Sequence, residues 1–175
     1  MRYVALLRGI NVGRHRRISM SDLRRVFEDV GCEDVSTYLQ SGNVLFAGKG
    51  SGARLASRLE RAIHAELAPG VSVLLRSRAE LARIASSNPF TGHDMSKLHV
   101  TFLEKRPPAA RARALDPELA EPDEFRLRGR ELYLHYPNGY GRSKLTNAYF
   151  EKQLGVVATT RNWKTVTALA EGAGG

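Results

Sequence analysis

The stretch TYLQSGNV, residues 37–44, sets Gln40, Ser41, Gly42 and Asn43 between two short runs of alternating polarity. Ser41-Gly42 reads as the two-residue link of a hairpin, because glycine takes the positive φ that such a link needs. On that reading residues 35–40 and 43–47 are paired strands. Upstream, RYVALLR (2–8) is a short apolar strand and GINVGRHRRI (9–18) a glycine-punctuated loop. Met20, Leu23, Val26, Phe27 and Val30 then recur at helical spacing. Ser19 with Asp22 resembles a capping box, Ile18 with Leu23 a hydrophobic staple, and Gly31 a helix stop. Downstream, GKGSG (48–52) is a connector. Leu55, Leu59, Ile63 and Leu67 mark a helix over about 53–67, which Pro69-Gly70 breaks before the strand VSVLLR (71–76). The order β-α-β-β-α-β is that of a ferredoxin-like fold.

This order has a consequence for function. In such a fold the first two strands are parallel and end at the same edge, so Arg8 and Gln40 come close together. The loop Gly9-Ile10-Asn11 then lies beside the hairpin Ser41-Gly42-Asn43, and the first helix starts at that edge. Its unsatisfied amides carry partial positive charge. Arg8, Asn11, Gln40, Ser41 and Asn43 therefore form a candidate ring suited to an anion. The first strand is apolar on both faces, Tyr3, Ala5 and Leu7 on one and Val4 and Leu6 on the other, so both are expected to be covered.

Residues 77–175 read as a second, smaller α+β half that shares the core with residues 1–76. A helix spans 77–87 and ends at Asn88-Pro89. KLHVTFLEK (97–105) is a strand and PAARARAL (108–115) a short helix. EFRLR (124–128) and ELYLHY (131–136) form a hairpin joined at Gly129-Arg130. Ser143 reads as the cap of a helix to about Leu154, and Thr160 as the cap of a last helix containing Trp163, Val166 and Leu169, before a disordered GAGG tail. Those caps place Lys144 and Arg161 in first helical turns, where a cation opposes the helix dipole by about 0.3–1 kcal/mol. A bound anion or an internal acid would relieve that cost, which makes Lys144, Arg161 and Asn162 further ligand-binding candidates.

The chain has 175 residues with 42% hydrophobic and 26% charged, an ordinary globular balance. No apolar run approaches the roughly 20 residues that span a bilayer, and the N-terminus lacks a cleavage pattern, so no membrane partner and a cytoplasmic location are expected. A formal net charge of +9 favours nucleotides or nucleic acid as partners. Cys32 is the single cysteine and reads as a buried structural residue. The five histidines are scattered without metal-ligand spacing, and no Walker loop or HExxH is present, so neither a metal nor a cofactor is expected. An RNA-recognition motif shares the strand order, but NVLFAG supplies only Phe46 where aromatic side chains are required.

LLRGINVG (6–13), TYLQSGNV (37–44), LHVTFL (98–103), LYLHYPNGYGRSKLTN (132–147) and TTRNWKTV (159–166) resemble the bacterial domain-of-unknown-function family 1697. The resemblance runs from Tyr3 to about Glu171. It implies a two-part α+β fold with a ferredoxin-like N-terminal part, and no activity. One departure is RHRR (14–17), where similar proteins often read GKNK.

Three readings follow. The first is a module that binds a phosphate-bearing ligand, nucleotide or nucleic acid, at a polar edge between the halves. The second is an enzyme acting on a small anionic substrate, with Arg8 or Arg161 as clamp and no general base identified. In the third, the motifs are turns and caps only. Oligomeric state is not legible.

Overall fold

The computed structural model describes residues 1–11 and 17–172. Among these residues the protein is a mixed α+β structure with two four-stranded antiparallel sheets and six α-helices. It divides into two compact units, residues 1–83 with 168–175, and residues 84–167.

The first unit holds β1 (Arg2–Arg8), α1 (Met20–Asp29), β2 (Glu33–Tyr38), β3 (Asn43–Ala47), α2 (Gly52–Glu66) and β4 (Ser72–Ser77), with the sheet order β2-β3-β1-β4. β1 and β2 are each antiparallel to β3 and so run in the same direction. Tyr3, Ala5 and Leu7 share a buried cluster with Leu23, Val26 and Phe27 of α1 and Leu55, Leu59 and Ile63 of α2. Phe46 joins them, edge-on to Phe27 at 5.3 Å and stacked on Tyr3 at 5.8 Å. Each large apolar side chain so buried contributes about 1.5–3 kcal/mol. Val4, Leu6 and Leu74 are fully buried as well, so the opposite face of this sheet is also covered. α1 starts as its sequence suggests: the Ser19 hydroxyl accepts from the Asp22 amide at 3.0 Å and donates to the Asp22 carboxylate at 2.7 Å.

The second unit holds β5 (Leu98–Leu103), α4 (Ala109–Arg113), β6 (Glu124–Arg128), β7 (Glu131–His135), α5 (Asn147–Leu154) and β8 (Ala158–Asn162), in the sheet order β6-β7-β5-β8. Phe125, Leu132, Leu134, Tyr136, Phe150 and Leu154 form its core. Two helices cross the boundary between the units in sequence, α3 (Arg78–Ser86) and α6 (Trp163–Glu171).

Three sequence expectations are corrected. β2 ends at Tyr38, which pairs with Asn43, so the hairpin link is residues 39–42; Leu39 and Gly42 take the positive φ, at 57° and 78°. Ser143 does not cap α5. Its hydroxyl accepts from the Leu145 amide, while Thr146 is the cap and accepts from Tyr149, which leaves Lys144 ahead of the helix. Thr160 and Arg161 lie on β8, where Thr101 and Thr160 share a 2.7 Å hydroxyl bond, and Asn162 caps α6 by accepting from the Thr165 amide. Neither Lys144 nor Arg161 opposes a helix dipole, so the argument that they need an anion falls away. Of the GAGG tail expected to be disordered, Gly172 is ordered, its amide donating to the Leu169 carbonyl at 3.2 Å, and residues 173–175 lie outside the described residues.

Candidate functional site

At the shared edge of β1 and β2 the chain turns sharply. Gly9 and Asn11 both have positive φ, 89° and 53°. Asparagine tolerates this region better than most residues, because its short amide can bond locally. The Asn11 amide group does so in two directions: Nδ2 donates to the Gln40 carbonyl at 2.7 Å, and Oδ1 accepts from the Ile18 amide at 3.0 Å. One side chain thereby ties together the loop after β1, the hairpin tip and the entry to α1. The Leu7 amide donates to the Gly42 carbonyl at 2.8 Å, a second tie between the same two segments.

A recess of about 560 Å³ opens there, lined by Asn11, Arg17, Ile18, Ser19, Met20 and Gln40. Arg17, Ser19 and Gln40 are exposed. Arg8, Asn11, Gln40, Ser41 and Asn43 all belong to this unit, but they do not all face the recess. Arg8 is half-buried at the end of β1 and pairs in register with Ser72 of β4. Asn43 is fully buried and donates to the Tyr38 carbonyl and the Ser41 hydroxyl, at 2.9 and 2.8 Å, which locks the turn from inside. Arg17, which the sequence places in the basic loop RHRR (14–17) as a possible phosphate contact, stands two residues before the Ser19 cap. Arg14, His15 and Arg16 of the basic loop lie outside the described residues.

The remaining candidates are in the second unit. Lys144 is exposed and lines a recess of about 260 Å³ with Glu121, Asp123 and Arg142, where carboxylates share the wall with cations. Arg161 is buried; its Nη1 donates to the Thr159 hydroxyl at 2.7 Å and the Thr160 carbonyl at 3.0 Å. Burial pushes its pKa down to about 10, which still leaves it charged near neutrality. Cys32 is buried and its thiol is pushed up by desolvation, with Arg58 pulling weakly the other way, so no activated thiolate arises there.

Sequence reasoning missed a side-chain cluster. His93, Glu124 and His135 each bring a potential ligand atom within 4.8 Å of the others. Glu124 and His135 face each other across β6 and β7. The hairpin joint at Gly129-Arg130 sets that register, so this pair was readable from the sequence; His93, in the turns after α3, carried no such signal.

These features define a two-unit α+β protein with a polar recess at the first sheet's edge. A family model for "Protein of unknown function (DUF1697)" matches residues 1–133, and the chain belongs to that family. No curated protein matches it. Its structure is similar to that of the conserved bacterial protein SP0830 from Streptococcus pneumoniae, with a TM-score of 0.69 at 21% identity over 97% of this chain and 96% of that one. Among the described residues no helix is long and apolar enough to cross a membrane.

Proposed function

We propose that the protein binds a phosphate-bearing anion, a nucleotide or nucleic acid, in the recess at the start of α1. The observation that supports this reading is the Asn11 tie, which joins the Gln40 and Ile18 backbones beside a recess that Arg17 and Gln40 line next to a helix N-terminus. Arg17 supplies the full charge. Gln40 supplies a neutral donor, and the helix end adds partial positive charge. The overall charge of +9 adds a long-range attraction for the same class of ligand. The Asp22 carboxylate in the first turn works against an anion, so Arg17 is the contact on which binding depends.

The internal bonding of Asn11, Ser19 and Asn43 favours a second reading, in which these motifs serve the fold alone. Fluorescence anisotropy with labelled single-stranded DNA, RNA and a nucleotide panel at low salt separates the two. The first reading expects binding that weakens steeply as salt rises, and an Arg17→Ala variant whose log-log salt slope is smaller by about one. No binding by any probe, or binding that Arg17→Ala leaves unchanged, selects the second.

A further inference from the structure

We propose that His93, Glu124 and His135 form a binding site for a divalent first-row transition ion such as Zn²⁺. All three residues lie in the second unit, and the site is independent of the anion recess. The donor set of two imidazoles and one carboxylate is what such ions prefer; thiolates are not required. The spacing supports the assignment. Adjacent ligands on a tetrahedral ion with bonds of about 2.0–2.1 Å sit about 3.3 Å apart. His135 Nδ1 and Glu124 Oε2 are hydrogen-bonded to each other at 3.2 Å, a separation that two ligands on one ion also have, so an ion would replace the shared proton without moving either strand. The third donor, from His93, lies within 4.8 Å of both, and a small swing of its side chain closes the remaining gap.

The way each residue is held fits this division. Glu124 and His135 are a directly opposed pair on neighbouring antiparallel strands, Glu124 half-buried and His135 buried. They form the rigid part of the site. His93 is exposed and follows a tight turn, with its amide donating to the Phe90 carbonyl at 3.3 Å and Gly92 at a φ of 103°. It is the movable part. Its ring lies 4.0 Å from that of His135, tilted by 33°. An ion shared by the neutral rings and the carboxylate satisfies all three groups at once. Three protein ligands leave a fourth position for water, the arrangement in which a metal-bound water is activated.

The test uses the full chain freed of metal with a chelator, titrated with Zn²⁺ in competition with a chromophoric chelator and with Co²⁺ by visible absorption. The expected result is one tight equivalent of Zn²⁺ and a four-coordinate Co²⁺ spectrum. His93→Ala, an exposed substitution that leaves the β6–β7 pair intact, should weaken Zn²⁺ binding by about 100-fold, at or beyond the upper end of what loss of an outer-sphere partner costs. Glu124→Gln should do the same, with circular dichroism showing that both variants remain folded. His64→Ala, at an exposed histidine outside the cluster, should change nothing. The proposal is overturned if the metal-free protein takes up no Zn²⁺. It is equally overturned if His93→Ala weakens binding less than about tenfold, since the ion would then be held elsewhere.

Discussion

Gly42 offers the sharpest test of how the hairpin and the loop after β1 meet. A Cβ built at this position would lie 2.6 Å from Ile10 Cδ1, 2.9 Å from Ile10 Cγ1 and 3.0 Å from Leu7 Cβ, and the backbone φ is 78°. Gly42→Ala therefore meets two separate costs. The left-handed backbone costs a residue with a Cβ about 1–2 kcal/mol. Forcing a methyl into filled space costs about 1–3 kcal/mol more. Gly31 isolates the first cost, because its φ is 89° and a Cβ there would meet nothing within 4 Å. Gly31→Ala should lose about 1–2 kcal/mol and Gly42→Ala about 2–5 kcal/mol. Ile10→Val then removes the closest atom, at a cost of its own of about 0.5–1.5 kcal/mol. The double variant should be more stable than the sum of the two singles by about 1 kcal/mol, a coupling in the range found for touching residues. Urea unfolding followed by circular dichroism reads the parent protein and all four variants, and a shared m-value shows that the comparison is sound. Strict additivity would refute the close approach of the two segments. A Gly42→Ala cost no larger than that of Gly31→Ala would refute it as well, and with it the recess built on that approach.

Asn43→Ala should cost about 1–3 kcal/mol by urea unfolding, since it strips the part-buried Tyr38 carbonyl and the Ser41 hydroxyl of their donor and empties a fully buried position, whereas Ser41→Ala, at an exposed hydroxyl, should cost within about 0.5 kcal/mol. Equal costs would mean that the turn is not held from inside. Burial holds the His99 imidazole below its ordinary value of 6.5, so as pH falls below 6.5 the unfolded chain binds a proton that the folded chain resists. Stability should therefore fall from pH 6.5 through the depressed folded value, and below that value this contribution should change no further. His99→Phe should flatten that limb of a melting-temperature profile, and an unchanged slope would show that other groups carry it.

The elements of the first unit were readable because local and long-range signals agree there. Ser19 caps the helix through the Asp22 amide, as its position suggests, although the Asp22 carboxylate accepts from the Ser19 hydroxyl, and Leu55, Leu59 and Ile63 point into one core. The disagreements arise where a single local signal was read alone. A lone hydroxyl reads as a helix cap at both Ser143 and Thr160. At Thr160 the competing outcome was strand pairing: Thr101 lies opposite, the two hydroxyls bond, and β-branched threonines suit a pleated strand. Asn162 then caps α6 two residues later. The turn at 39–42 was read as shorter than it is, because nothing in the sequence marks Leu39 as taking a φ of 57°.

The same contrast explains why the candidate sites were visible to different degrees. The meeting of the Asn11 loop with the hairpin tip follows from topology alone, since two parallel strands that end together bring their loops together. What topology cannot supply is side-chain direction, and direction decides the roles: Asn43 turns inward to hold the hairpin, while Gln40 stays exposed. The His93, Glu124 and His135 cluster is the opposite case. Its spacing of 31 and 11 residues matches no helical metal motif, so a scan for close-spaced ligands passes over it. Two of its members were nevertheless determined by the register of a two-residue hairpin, which puts Glu124 across from His135 whatever else the chain does. Only His93 needed the tertiary structure, because a turn after a helix can lead in many directions. A search for metal ligands in antiparallel proteins should therefore pair residues across predicted hairpins before it counts spacing along the chain.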